Sequence, residues 1–138
     1  MNQIKTLKLT HRLGENGVMI LKVAGFVDAS NINIFNRRIH EPVEKGYSKI
    51  ILDCSELQYI NSSALGILLD AHLLATKHQG DFKILSLPRK IKKTFEILGF
   101  INYFQIFSDE KKAIQSFSPK KVKQLPCGAG KPRLSTSD

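Results

Sequence analysis

The sequence has no tryptophan, only two cysteines, few carboxylates and no long apolar run, and each shortage removes a class of protein. A membrane-spanning helix needs about 18 or more consecutive apolar residues, and no such run exists, so membrane insertion is not expected. Cys54 and Cys127 are too few for a disulfide framework and have no CxxC spacing. Two free thiols are expected, the one at Cys54 buried near the end of a strand. Met1-Asn2-Gln3-Ile4-Lys5 lacks the apolar core of a signal peptide, and the expectation is a cytoplasmic protein. The 12 acidic residues form no obvious pair for acid–base work. His11, His40, His72 and His78 are scattered, with no HExxH or other ligand spacing. Neither a metal nor a cofactor is expected, and the chain does not read as an enzyme.

What is present suits a single domain. Of 138 residues, 42% are hydrophobic, enough for a sizeable core. The net charge of +9 raises nucleic-acid binding, so its distribution matters. Lys120, Lys121, Lys123, Lys131 and Arg133 against Asp138 give the region after Phe117 a net +4, which leaves +5 spread over residues 1–117. The aromatic residues fall at core-like positions rather than between the cations, as a base-stacking platform would need. Non-specific attraction to polyanions follows; specific nucleic-acid recognition does not.

Along the chain, residues 3–11 partly alternate apolar and polar, as a half-exposed strand does. Gly14-Glu15-Asn16-Gly17 carries the Asn-Gly hairpin signal, and Val18–Val23 is the returning strand. Gly25–Ser30 is a connection with capping residues. Ile32, Phe35, Ile39 and Val43 then form one apolar helical stripe, closed by Gly46. A short buried strand is expected at 50–52, flanked by Lys49 and Asp53. A polar connection and a helix over 62–78 follow. Phe82–Leu87 reads as a strand, and Pro88 opens a helix whose Ile91, Phe95 and Leu98 recur at helical spacing before Gly99. Arg89, Lys90, Lys92 and Lys93 take its solvated faces. A short last strand at 103–107 and a helix from Asp109 to Phe117 complete a domain of residues 1–117. From 118 to 138, Pro, Gly, Lys and Ser predict a basic, disordered tail. Cys127-Gly-Ala-Gly-Lys131 lacks the second half of a phosphate loop, and no strand leads into it.

The stretch from Ile50 to Ala75 organises the rest. Ser62 and Ser63 stand where the central helix begins, as a capping serine would. A helix start also tolerates a phosphate well, because free N–H groups and the dipole both favour negative charge. The helix itself, from Ala64 through Ala75, carries more apolar residues than one buried stripe uses, so part of its surface is expected to stay exposed for a partner.

A strand ending in Leu-Asp, then a hydrophobic pair, Asn61-Ser62-Ser63-Ala64-Leu65-Gly66 and a leucine-rich helix resembles the STAS domain of anti-sigma factor antagonists. The usual motif there is Asp-Ser-Ser/Ala-Gly-Leu-Gly, and the resemblance covers roughly residues 3–117. It implies an α/β, STAS-like mixed sheet with an N-terminal antiparallel hairpin and about four helices. It also implies phosphorylation at Ser62, with Ser63 the second choice. The implied partner surface comprises Asp28, Asn61, Ser62, Ser63, Ala64, Leu65 and Gly66, Asp28 entering through its Gly-x-x-Asp loop. The implied partners are an anti-sigma factor that is itself a serine kinase, and a serine phosphatase. Asn61 replaces the usual Asp, and Ala64 the usual Gly. These departures keep open an alternative, a phosphorylation-independent interaction module in a transporter or signalling assembly. The sequence fixes no oligomeric state.

Overall fold

The chain opens with a hairpin because two strand-forming segments flank an Asn-Gly turn. β1 (Leu7–Leu13) and β2 (Met19–Val27) pair antiparallel, with Leu13 opposite Met19, around a 3-10 turn at Glu15–Gly17. Asn16 and Gly17 take positive φ angles of 61° and 74°, which this residue pair permits at low cost. The structure, a computed structural model, describes residues 6–117. The expected strand residues 3–5, the expected disordered tail 118–138 and Cys127 lie outside the described residues.

Strands and helices then alternate: α1 (Ile32–Glu44), β3 (Lys49–Ile60), α2 (Ser62–Lys77), β4 (Asp81–Leu85), α3 (Arg89–Ile97), β5 (Ile106–Phe107) and α4 (Glu110–Gln115). One five-stranded sheet has the order β1-β2-β3-β4-β5, antiparallel at β1-β2 and parallel at every later pair. That is the mixed sheet the alternation predicts, since a parallel pair needs a crossover long enough to hold a helix.

The two faces of the sheet are covered unequally. α1, α2 and α3 lay Phe35, Ile39, Leu65, Leu68, Ile91 and Phe95 over Leu21, Val23, Leu52 and Ile84 in one large core. Each such side chain contributes about 1.5–3 kcal/mol by leaving water. On the opposite face α4 alone is present among the described residues, packing Ala113 and Ile114 on Val18, Ile20, Ile51 and Leu85. Lys83 points to this face and is only 4% exposed. Its Nζ donates to Ser116 Oγ at 2.7 Å and lies 4.3 Å from the centre of the Phe117 ring. Burial pushes the Lys83 ammonium below its ordinary range, and nearby Asp81 partly opposes that. The lysine thereby ties the end of α4 to the sheet.

Two strands run further than expected. β2 continues through Gly25 to Val27, and β3 through Ser55, Glu56 and Gln58 to Ile60. Each gives the other its hydrogen bonds, Val27 standing opposite Ile60, with irregularities between Lys22 and Ala24 and between Gly25 and Phe26. Gly25, at φ 97°, makes this possible: a Cβ there would collide with the Thr6 carbonyl oxygen. Polar residues at 55, 56 and 58 hide the strand because their side chains are exposed, although Glu56, Leu57, Tyr59 and Ile60 pair with β2.

Candidate functional site

The extended ends of β2 and β3 bring two loops to one edge of the sheet. Val27 and Ile60 are neighbours, and the Asn61 N–H donates to Val27 O at 3.2 Å. Asp28 therefore starts the loop into α1 beside the point where Asn61 starts α2. Asp28 Oδ1 accepts from the Ser30 N–H at 3.0 Å and from Ser30 Oγ at 2.6 Å. Its own N–H donates to Asn31 Oδ1 at 3.0 Å. The loop is thus a self-bonded turn, with Asp28 half-buried at its base.

At the second loop the cap differs from the expectation. Asn61 Oδ1, not a serine hydroxyl, accepts the Ala64 N–H at 2.9 Å. Asn and Ser are equally good caps, so the choice between adjacent positions is made by where β3 ends. Ser62 and Ser63 become the first two residues inside the helix, and both are exposed. Among the described residues neither hydroxyl has a hydrogen-bond partner. The amides they carry belong to the unpaired N–H groups of the first helical turn. Ser62 Oγ is therefore reachable, unencumbered, and set where added negative charge is electrostatically favoured.

The rest of the implied surface divides in two. Ala64 and Leu65 are fully buried against the sheet, so they hold α2 in place and offer nothing to a molecule docking from outside. Gly66 is exposed, and a Cβ added there would meet nothing within 4 Å. A glycine inside a helix costs about 0.8–1 kcal/mol relative to alanine, and no packing in this fold requires it. The outward line of α2 runs Ser62, Gly66, Leu69 and Leu73 at spacings of four, three and four; Leu73 is 54% exposed. The apolar surplus of α2 is mostly absorbed: Leu68, Ala71 and Ala75 are buried, and Ile67, Leu69 and Leu74 half-buried. Tyr59, two residues before Asn61, is 48% exposed, whereas Ile34, in the first turn of α1 and 49% exposed, lies on the β1 side with Leu7, Leu9 and Arg38. Sequence periodicity misses Tyr59 because the strand around it looks like a polar loop.

Comparison with known proteins agrees with this geometry. The STAS domain family model matches residues 12–113. The chain belongs to the STAS domain family. A protein of Bordetella bronchiseptica provisionally named anti-sigma factor antagonist BtrV is 26% identical over 102 residues, covering 74% of this chain and 88% of that one. The anti-sigma F factor antagonist of Paenibacillus polymyxa is 21% identical over 99 residues, covering 71% and 85%. Among solved structures, an anti-sigma factor antagonist from Mycobacterium paratuberculosis superposes with a TM-score of 0.73 at 16% identity, covering 85% of this chain and 98% of that one. The phosphorylated Bacillus cell fate determinant SpoIIAA gives 0.62 at 17% identity, covering 79% and 98%. Those structures show the shared fold.

Elsewhere in this STAS domain two histidines serve packing and helix contacts. His40 joins α1 to α2: its Nε2 lies 3.1 Å from Asp70 Oδ2, and its Nδ1 lies 3.0 Å from Asn36 O of its own helix. His72 packs edge-on against Phe104, with Nδ1 3.3 Å from both Phe82 O and Asp81 Oδ1. His78 is exposed. Cys54 is buried, and burial pushes its thiol far up, which makes it unreactive. No helix among the described residues is long and apolar enough to cross a membrane.

Proposed function

We propose that this STAS domain is an anti-sigma factor antagonist whose docking is governed by the charge on Ser62. Unphosphorylated, it binds an anti-sigma factor that is also a serine kinase and so frees a sigma factor. Transfer of a phosphoryl group from ATP to Ser62 Oγ releases it, and a separate serine phosphatase restores the hydroxyl. The chain is substrate and binder, not catalyst, and acts in the cytoplasm. The observation that carries this reading is the exposed Ser62 hydroxyl, left without a partner because Asn61 does the capping.

The physics of release is local. A phosphate adds about −1.5 to −2 charges at the upper end of the line through Gly66, Leu69 and Leu73. The helix N-terminus tolerates it, so the fold stays intact, while a dry contact covering that line would have to desolvate it. Asp28, Asn61, Ser62, Ser63 and Gly66 form the proposed footprint, and Ser63 is the second candidate acceptor. Names of related proteins support the reading: two curated relatives are called anti-sigma factor antagonists, and a fold neighbour has been solved both unphosphorylated and phosphorylated.

One observation favours a second reading, a phosphorylation-independent STAS module in a transporter or signalling assembly. The residue before Ser62 is a neutral amide already committed to Ala64 N–H, so it offers a kinase no anion. Capture from the native host's lysate, followed by intact-mass analysis after adding ATP, separates the two. The first reading expects a bound kinase and the mass of one phosphoryl group on wild type but not on Ser62→Ala. A bound transporter ATPase with no mass gain would support the second.

A further inference from the structure

The first turn and a half of α3 is built against its own helix dipole. Arg89, Lys90, Lys92 and Lys93 all fall there, and no acidic residue stands in the first turn. Cations near a helix N-terminus are destabilising, because the exposed N–H groups already carry partial positive charge. The preceding residue, Pro88, gives no side-chain cap. Among the described residues none of the four cations forms an ion pair, and all four are exposed. Folding therefore does not explain them.

The same helix exposes its most prominent apolar side chain on that side. Arg89, Lys93 and Ile97 lie four residues apart, so they form one line along the outer surface. Ile97 is 76% exposed, while Ile91 and Phe95 face the core. Just past the helix, Leu98 and Tyr103 are also exposed, and the Tyr103 ring leans on Phe100. Cations at one end of an outward helix face thus lead into an aliphatic and aromatic tip.

We propose that this face of α3 binds the surface of an anionic phospholipid bilayer, with the cations on the headgroups and Ile97, Leu98 and Tyr103 entering the interfacial layer. Charge complementarity identifies the occupant's sign, and the aliphatic tip separates bilayer from polynucleotide: Ile97 gains nothing from a phosphate backbone and gains by leaving water among acyl chains. Tyrosine, with an apolar ring and a polar tip, suits the interface. Neither signal is sufficient alone, and peripheral attachment generally needs two. The attachment is peripheral and reversible. It is independent of Ser62 and uses a different helix.

Sedimentation of the full-length protein with vesicles of equal parts phosphatidylcholine and phosphatidylglycerol tests this, with pure phosphatidylcholine as the comparison. Binding is expected only to the anionic vesicles, weakening as salt rises. The Lys90→Gln/Lys93→Gln protein should bind about 25-fold more weakly, from roughly a fivefold factor per cation. Ile97→Ser should cost about tenfold. Both variants should melt no lower than wild type, since the first relieves the dipole conflict and the second removes an exposed side chain. Vesicle binding unchanged in both variants would overturn the proposal and assign the attraction to the basic residues beyond 117. Binding to a polynucleotide or an acidic protein that falls with the lysine pair, with no vesicle binding, would overturn it too.

Discussion

α2 and α3 leave the same edge of the parallel sheet, one from the end of β3 and the next from the end of β4, yet their first turns are opposite in kind. At α2 a neutral amide caps the helix and two exposed hydroxyls follow, with no charge in the first turn. At α3 no side chain caps the helix, and cations crowd the end where the dipole least favours them. The first site is one where added negative charge is electrostatically favoured. The second holds positive charge that no ion pair among the described residues neutralises. In each, the informative residues are those the fold does not need: Gly66 in the outward line of α2, and the four cations and Ile97 on α3.

Substitutions can sharpen or break that contrast. The largest effect is expected at Gly66. Gly66→Leu fills open space on the free protein and improves helix propensity, so the melting temperature should rise. Affinity for the anti-sigma factor should nevertheless fall about 30-fold, because overpacking a tight contact costs about 1–3 kcal/mol; unchanged affinity by calorimetry would take Gly66 out of the contact. Asp28→Ala should weaken the same binding about fivefold, as truncating an ordinary interface residue does, with the fold retained by circular dichroism. Asn61→Ala should lower unfolding free energy by about 1 kcal/mol through loss of the Ala64 cap. Asn61→Asp, measured beside it in urea, should lose nothing. The smallest effect is at α3: Arg89→Gln should stabilise by about 0.3–1 kcal/mol. A destabilising Arg89→Gln would mean that the arginine serves the fold, and the contrast between the two helices would fail.

Much of this is legible in the sequence. The Asn-Gly turn, the stripe through Phe35, Ile39 and Val43, and the glycine stops at Gly46 and Gly99 are local patterns, and the structure keeps them. The lengths of β2 and β3 were not legible, because their ends pair through backbone while Ser55, Glu56 and Gln58 turn polar side chains to solvent. The cap was misplaced by one residue for the same reason: β3 runs to Ile60, which puts Asn61 rather than Ser62 at the boundary. The burial of Ala64 and Leu65, despite their place in the motif, depends on which side of α2 meets the sheet. Lys83 was missed altogether, since nothing local reveals that Phe117 and Ser116 will close over it.

The most direct test compares the affinity of one captured anti-sigma factor for three forms of the protein: wild type, Ser62→Ala, and wild type carrying a phosphoryl group on Ser62. If the charge at the head of α2 governs docking, the first two bind alike and the phosphorylated form binds at least 100-fold more weakly, with its circular dichroism spectrum unchanged; a loss of that size corresponds to about 2.7 kcal/mol, within the cost of a desolvated charge left unpaired. Equal affinity for all three would contradict the claim.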